Sequence, residues 1–237
     1  MDKQQQKLLL EKAKKFFREE IVTTHIKNVM RSGVLKEYTY NPFLITYVAN
    51  FLKGDASPRS IAEALIYPRV LGTSISTSFG MKAQKMITQL FEGMLGSSTT
   101  GMDVEFIDAI DGRKKYCQVK AGPQTINHDD VKTIIGHFAK VKNLARQNHS
   151  DIRLNDLVVG ILYGERNELS TNYQDIEKEF PVIIGKEFWH RLTGSEAFYP
   201  DLINAFGEVA KEVDGRSLLE KTIESLAKEI EQHWIFK

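Results

Sequence analysis

Apolar positions fall at helical spacing near both ends of the chain and in strand-like runs through its middle. Leu8, Leu9, Phe16, Phe17 and Ile21 recur near helical spacing among lysines and glutamates, which predicts an amphipathic helix. Asn41-Pro42 is a turn or helix-start signal before the apolar run Phe43 to Leu52. Gly54 to Pro58 interrupts the chain, and a helix carrying Ile61, Ala64 and Leu65 is expected from Ser57 or Pro58. Gly72 to Gly80 is rich in Ser, Thr and Gly and reads as a loop. Met81 to Leu95 predicts a helix with Met86, Ile87, Leu90, Phe91 and Met94 on one face, then a flexible link Gly96 to Gly101.

Further on, Val131, Ile134, Ile135, Phe138, Val141 and Ala145 form one helical stripe, with Asp129 a candidate N-cap. Lys132, His137, Lys140, Lys142 and Arg146 are assigned to the other face. Asp156 to Gly164 is a short continuous apolar run, as in a buried central strand. Phe180 to Gly185 reads as another strand, and Lys186 to Leu192 starts a helix. Two last stripes follow: Leu202, Ile203, Phe206, Val209, Ala210 and Val213, then Leu219, Ile223, Leu226, Ile230 and Trp234 after the break at Asp214-Gly215. The pattern predicts an α/β protein: a mixed β-sheet flanked by helices, with helical N- and C-terminal segments. The expected regions are 1–72, helical; 73–195, carrying the sheet; and 196–237, helical.

Met102 to Gly122 holds the chemistry. Both arms alternate apolar and polar residues around Asp111-Gly112, a two-residue hairpin signal. Side chains two apart on a strand share a face, so Asp103 pairs with Glu105 and Gln118 with Lys120. If the faces match, a carboxylate, an amide oxygen and an ammonium converge. That set can bind a divalent metal beside a phosphate, with Asp103 the anionic ligand, Gln118 and the Val119 carbonyl neutral donors, and Glu105 a further ligand. Lys120 would then orient the attacking water. Spacing alone fits a solvent-facing hairpin as well.

Composition narrows the options little. The chain has 237 residues, 42% hydrophobic and 27% charged, ordinary for a globular protein. A net charge of +1 neither announces nor excludes nucleic acid. Cys117 is the one cysteine, so no intrachain disulfide forms, and packing is its expected role. No apolar run is long enough for a membrane span and the N-terminus lacks a signal-peptide pattern, so a cytoplasmic protein is expected.

The hairpin resembles the PD-(D/E)xK nuclease core. Asp103 matches its first acid, although Met102 stands where that motif has proline, Lys120 matches its lysine, and Gln118 occupies its second acidic position. Asn41-Pro42-Phe43, Thr77-Ser78-Phe79-Gly80, Lys120-Ala121-Gly122 with Thr125-Ile126, Val158-Val159-Gly160 with Tyr163-Gly164, and Gly185-Lys186-Glu187-Phe188-Trp189 resemble, in order, the type II restriction endonucleases that cut GGNCC and RGGNCCY. The resemblance implies a restriction-endonuclease-like core in 73–195, flanked by a 1–72 region supporting DNA binding or dimerisation and by 196–237 helices on the core or the dimer interface. It implies a homodimer cutting palindromic double-stranded DNA with Mg²⁺, Mn²⁺ able to substitute, beside a cognate DNA methyltransferase in the same restriction system.

Gln84 and Lys85 lie where such folds often carry an extra acid near the metal, which makes Gln84 an accessory candidate; the alternative is a solvated helix face. Gln124, Thr125, Asn127 and His128 follow the second arm and can reach DNA or cap the next helix. Lys132, Lys140, Lys142 and Arg146 suit phosphates or an ordinary charged face. His128 has no second histidine at zinc-ligand spacing. Trp189 is expected in the core, and the Leu219 to Trp234 stripe in the core or a dimer contact. A repair or RNA-processing nuclease of the same fold, and a non-catalytic DNA-binding protein of that fold, are the alternatives.

Overall fold

The structure is a computed structural model that describes residues 2–91 and 99–233. Met94, Gly96 to Ser98 of the expected link, and Trp234 lie outside the described residues. The first half carries helices α1 (Lys3–Phe16), α2 (Thr23–Arg31), α3 (Pro42–Lys53), α4 (Pro58–Tyr67) and α5 (Ile75–Leu90). Strands β1 (Val104–Ile107) and β2 (Lys114–Lys120) precede α6 (His128–Gln147), β3 (Leu157–Ile161), α7 (Thr171–Glu177), β4 (Val182–Ile184), α8 (Lys186–Thr193), α9 (Phe198–Ala210) and α10 (Gly215–Gln232). The chain forms two compact units, Met1–Phe16 with Gly80–Gly207, and Phe17–Phe79 with Glu208–Lys237. They cut across the regions 1–72, 73–195 and 196–237: α1 groups with the sheet, and α10 groups with α2, α3 and α4.

The first unit holds a four-stranded mixed sheet in the order β1-β2-β3-β4. β1 runs antiparallel to β2, whereas β2, β3 and β4 are parallel. All five residues of β3 are buried, which explains its unbroken apolar run. Val159 and Ile161 pack with Ile134, Phe138 and Val141 of α6 and Tyr173 and Ile176 of α7. On the other face Gly160 meets Phe188 of α8. A Cβ at Gly160 would lie 2.3 Å from that ring and 2.8 Å from Cys117 Sγ. Gly160→Ala is therefore expected to cost about 1–3 kcal/mol by overpacking, read as a lower denaturation midpoint. Trp189 is in the core, as expected, and its indole N–H donates to the Leu162 carbonyl at 2.8 Å.

Three local expectations need correction. The hairpin turn is longer than Asp111-Gly112. β1 stops at Ile107, and Asp108 is fully buried, ion-paired with Arg191 at 2.7 Å and accepting from Ile110 N. That buried acid breaks the alternation and makes 108–113 a loop. Second, Gly72 to Gly80 is helical. Pro68 has no N–H for a bond one turn back, and a π-helical segment Pro68–Ser74 begins there and runs directly into α5. Third, Asn127 and not Asp129 caps α6. Asn127 Oδ1 accepts from Asp129 N and Asp130 N, while Asp130 reaches back to Asn127 N.

The second unit is helical. Ile61, Ala62, Ala64 and Ile66 of α4 pack with Ile223, Leu226 and Ile230 of α10 and with Ile45 and Ala49 of α3. Asn41 caps α3 and Ser57 caps α4, as the turn signals suggest. Glu63 is buried in α4, and its charge is met by Lys53 at 2.6 Å and Arg59 at 3.2 Å.

Candidate active site

Asp103 stands one residue before β1, whose first residue Val104 pairs with Cys117 of β2. Its own N–H donates to Cys117 O at 2.9 Å. Its side chain then replaces a ladder carbonyl: Oδ2 accepts from Val119 N at 2.7 Å. Oδ1 accepts from Gln84 Nε2 on α5. Burial pushes the Asp103 pKa above the usual carboxylate value, with the Val119 N–H, Lys120, Gln84 and His137 opposing the rise. The Val119 carbonyl faces the same edge, since both polar groups of one strand residue point to one side.

Gln118 is buried and its amide orientation is determined. Its Nε2 lies 2.7 Å from the Gly101 carbonyl and 2.7 Å from His137 Nδ1. A carbonyl only accepts, so the amide nitrogen must occupy that end, and His137 Nδ1 is the acceptor nitrogen. Oε1 is left on the far side of the group and receives no hydrogen bond from the described residues. Lys120, half-exposed at the end of β2, is close enough for its charge to act on Asp103. Asp103, Gln118 and Lys120 thus lie at the same end of β2.

Other candidates divide. Gln84 joins the cluster through Asp103. Glu105 goes elsewhere. Its Oε1 accepts from Thr99 N and Oγ1, and its Oε2 pairs with Lys114 at 2.6 Å, which engages both oxygens away from a ligand role. Asn127 is engaged as a helix cap, and Thr125 Oγ1 donates to the Gly122 carbonyl at 2.9 Å. Gln124, His128 and Lys132 are exposed, Lys132 lying 3.7 Å from Asp129. Cys117 is fully buried and its thiol pKa is pushed up by that burial, which suits packing and not nucleophilic attack.

Two residues escape a reading of spacing. The stripe pattern puts His137 on the other face of α6, yet it flanks the core stripe, three residues after Ile134 and four before Val141. Helical geometry turns that edge position toward the sheet. Gly101 carries φ +87° with its Cα against His137: a Cβ there would lie 2.8 Å from the imidazole. Gly101→Ala is expected to destabilise by about 1–3 kcal/mol through a strained backbone and that clash, measured by thermal or urea unfolding.

Few hard oxygen donors stand here: the Asp103 carboxylate, Gln118 Oε1 and the Val119 carbonyl. Such a set suits a cation that keeps several waters, not a tetrahedral nitrogen–sulfur site. Among the described residues no three His, Cys, Asp or Glu side chains form a metal cluster.

A mixed sheet flanked by helices, with an acid at the mouth of one strand and a lysine on the next, defines a restriction-endonuclease-like fold. A family model described as "Type II restriction endonuclease EcoO109I" matches residues 3–214, and the chain belongs to that family. It is therefore a restriction endonuclease by class. No curated protein matches the chain. No helix among the described residues is long and apolar enough to cross a membrane.

Proposed function

We propose that this chain is a Mg²⁺-dependent type II endonuclease that hydrolyses phosphodiester bonds in palindromic double-stranded DNA of the GGNCC kind, paired in its restriction system with a cognate methyltransferase. The observation that carries this is the convergence of Asp103, Gln118 Oε1 and Lys120 at one end of β2. Asp103 and Gln118 would hold the ion, with the Val119 carbonyl as a third donor. Bound there, magnesium supplies charge neutralisation at phosphorus and acidifies its waters. Gln84 and the Val119 N–H keep the Asp103 carboxylate in place. Gly101 and His137 hold the Gln118 nitrogen, so that its oxygen is the atom offered. Lys120 Nζ orients the attacking water by a hydrogen bond and offsets negative charge on the phosphate.

Gln124, His128 and Lys132 supply the exposed polar groups beyond β2 that reach the DNA; Thr125 and Asn127 shape that stretch by their local bonds. The Gly101→Ala variant, which displaces the Gln118 clamp, is expected to weaken Ca²⁺ affinity by roughly 10–100-fold. The test of the proposal is incubation of unmethylated supercoiled plasmid with the protein in Mg²⁺ and in EDTA. Linear DNA in Mg²⁺ and intact plasmid in EDTA are expected. Plasmid left intact in Mg²⁺ and Mn²⁺, or RNA cut in its place, would overturn it.

A further inference from the structure

His137 brings a second polar atom to the site. Both N–H groups of the Gln118 amide are engaged, one by the Gly101 carbonyl and one by His137 Nδ1, each at 2.7 Å. Nδ1 therefore accepts, and the proton of the neutral ring sits on Nε2. Among the described residues no group accepts a hydrogen bond from that Nε2–H. It is not a buried orphan either. Gly101 lies against Cγ, Nδ1 and Cδ2, and Gln118 covers Nδ1, so the half-exposed ring opens along its Cε1–Nε2 edge. The ring is near enough to the Asp103 carboxylate for its charge to act there. The site is otherwise short of donors. Asp103, Gln118 Oε1 and the Val119 carbonyl only accept, and the Val119 N–H is taken by Asp103. Lys120 supplies one donor, whereas a phosphoryl group in transfer spreads negative charge over several oxygens.

We infer that His137 serves the reaction through both ring nitrogens: Nδ1 fixes the Gln118 amide, and Nε2–H donates a hydrogen bond to a non-bridging oxygen of the DNA phosphate held at Asp103 and Gln118. The second role rests on the nuclease reading for the identity of that phosphate, though the tautomer does not. A fixed neutral N–H aimed at a charged oxygen makes a charge-assisted bond and gains strength where water is excluded. It needs no proton transfer, so the Nδ1 bond to Gln118 persists while Nε2 acts. The two roles are coupled by the residue at 118. A glutamate there has no N–H for either partner and would set a carboxylate against the Gly101 carbonyl. The amide holds the imidazole in the one tautomer that leaves an N–H on the open edge. His137 is thus a positioning residue for Gln118 and a catalytic residue toward the phosphate.

The test separates the two nitrogens. Asparagine puts Oδ1 where Nδ1 stands and leaves nothing at Nε2, whereas glutamine reaches the Nε2 position with an N–H and offers no acceptor at Nδ1. His137→Asn is expected to leave Ca²⁺ affinity unchanged in calorimetric titration. Its single-turnover cleavage should slow about 10–100-fold, the loss of one hydrogen bond to a charged group. Its affinity for a short duplex in Ca²⁺, which needs no cleavage, should fall by roughly tenfold. His137→Gln is expected to weaken Ca²⁺ binding about 10–100-fold, because the Gln118 amide is released. His137→Leu should show both losses. One arm changes no residue: ¹⁵N–¹H spectra of the metal-free wild type at mildly alkaline pH should place the His137 proton on Nε2, the signal being assigned by its absence in His137→Asn. A proton on Nδ1, a His137→Asn variant that binds duplex and cuts like wild type, one that loses Ca²⁺ affinity as far as His137→Leu does, or a wild type that binds no Ca²⁺ or no duplex would overturn the inference. A wild type that binds both but leaves plasmid intact sinks the nuclease reading alone, because the tautomer, Ca²⁺ and duplex readouts still decide the role of His137.

Discussion

Asp103→Ala is expected to reduce DNA cleavage by on the order of a thousandfold or more, because it removes the one carboxylate of the proposed metal site. Binding to DNA should change little, since Asp103 lies at the sheet and not among the exposed polar groups that reach the duplex. Asp103→Asn separates charge from shape. Asparagine can still accept from Val119 N, and the Gln84 amide can turn to match it. Cleavage and Ca²⁺ affinity should nonetheless be lost, because a neutral oxygen is a poor anchor for a divalent ion.

The raised Asp103 pKa fixes the sign of a second readout. A carboxyl whose folded pKa exceeds its unfolded value stabilises the fold at low pH, and that contribution disappears as pH rises through the folded value. Above that folded value the metal-free protein therefore carries a disfavoured, partly buried anion. Asp103→Asn should be at least as stable as wild type there, while losing catalysis. A variant that is both inactive and unstable would mean the acid has a structural role instead. Metal affinity should run the opposite way with pH, present above the raised pKa and lost as pH falls through it.

Lys120→Ala is expected to slow cleavage by roughly 10²–10³-fold, the range seen when one positioned donor to a developing charge is removed. Its signature differs from that of Asp103. Lys120 is a cation beside the metal site, so its removal should leave Ca²⁺ affinity unchanged or tighter. Lys120→Arg should restore little, because a planar guanidinium cannot replace a compact ammonium that points one N–H at a water. Single-turnover cleavage beside calorimetric titration with Ca²⁺ separates the two effects.

Much of this was legible in the residues, for physical reasons that also mark where reading stops. β3 declares itself because a strand buried on both faces must be apolar throughout. Asn41 and Ser57 mark α3 and α4 because a cap needs a short polar side chain. The Asp103, Gln118 and Lys120 cluster follows from the period of two along strands. What spacing could not reveal were contacts between distant segments. Asp108 looks like a polar strand residue until Arg191, far along the chain, pairs with it. Glu105 shares its strand with Asp103, yet Thr99 and Lys114 draw it away. His137 and Gly101 acquire a role only because Gln118 lies between them. The Ser, Thr and Gly content of 72–80 suits a loop by propensity, yet the turn starting at Pro68 carries helix through it. Neither unit boundary could be seen, because α10 joins α3 and α4 from the opposite end of the sequence.

The most direct measurement is digestion of unmethylated phage DNA in Mg²⁺ followed by sequencing of every fragment end. If a two-fold enzyme holds one cation at Asp103 and Gln118 against the DNA backbone, all termini fall within one short palindrome, and Asp103→Asn yields none. Termini scattered without a shared sequence, or the same discrete fragments from Asp103→Asn, would contradict it.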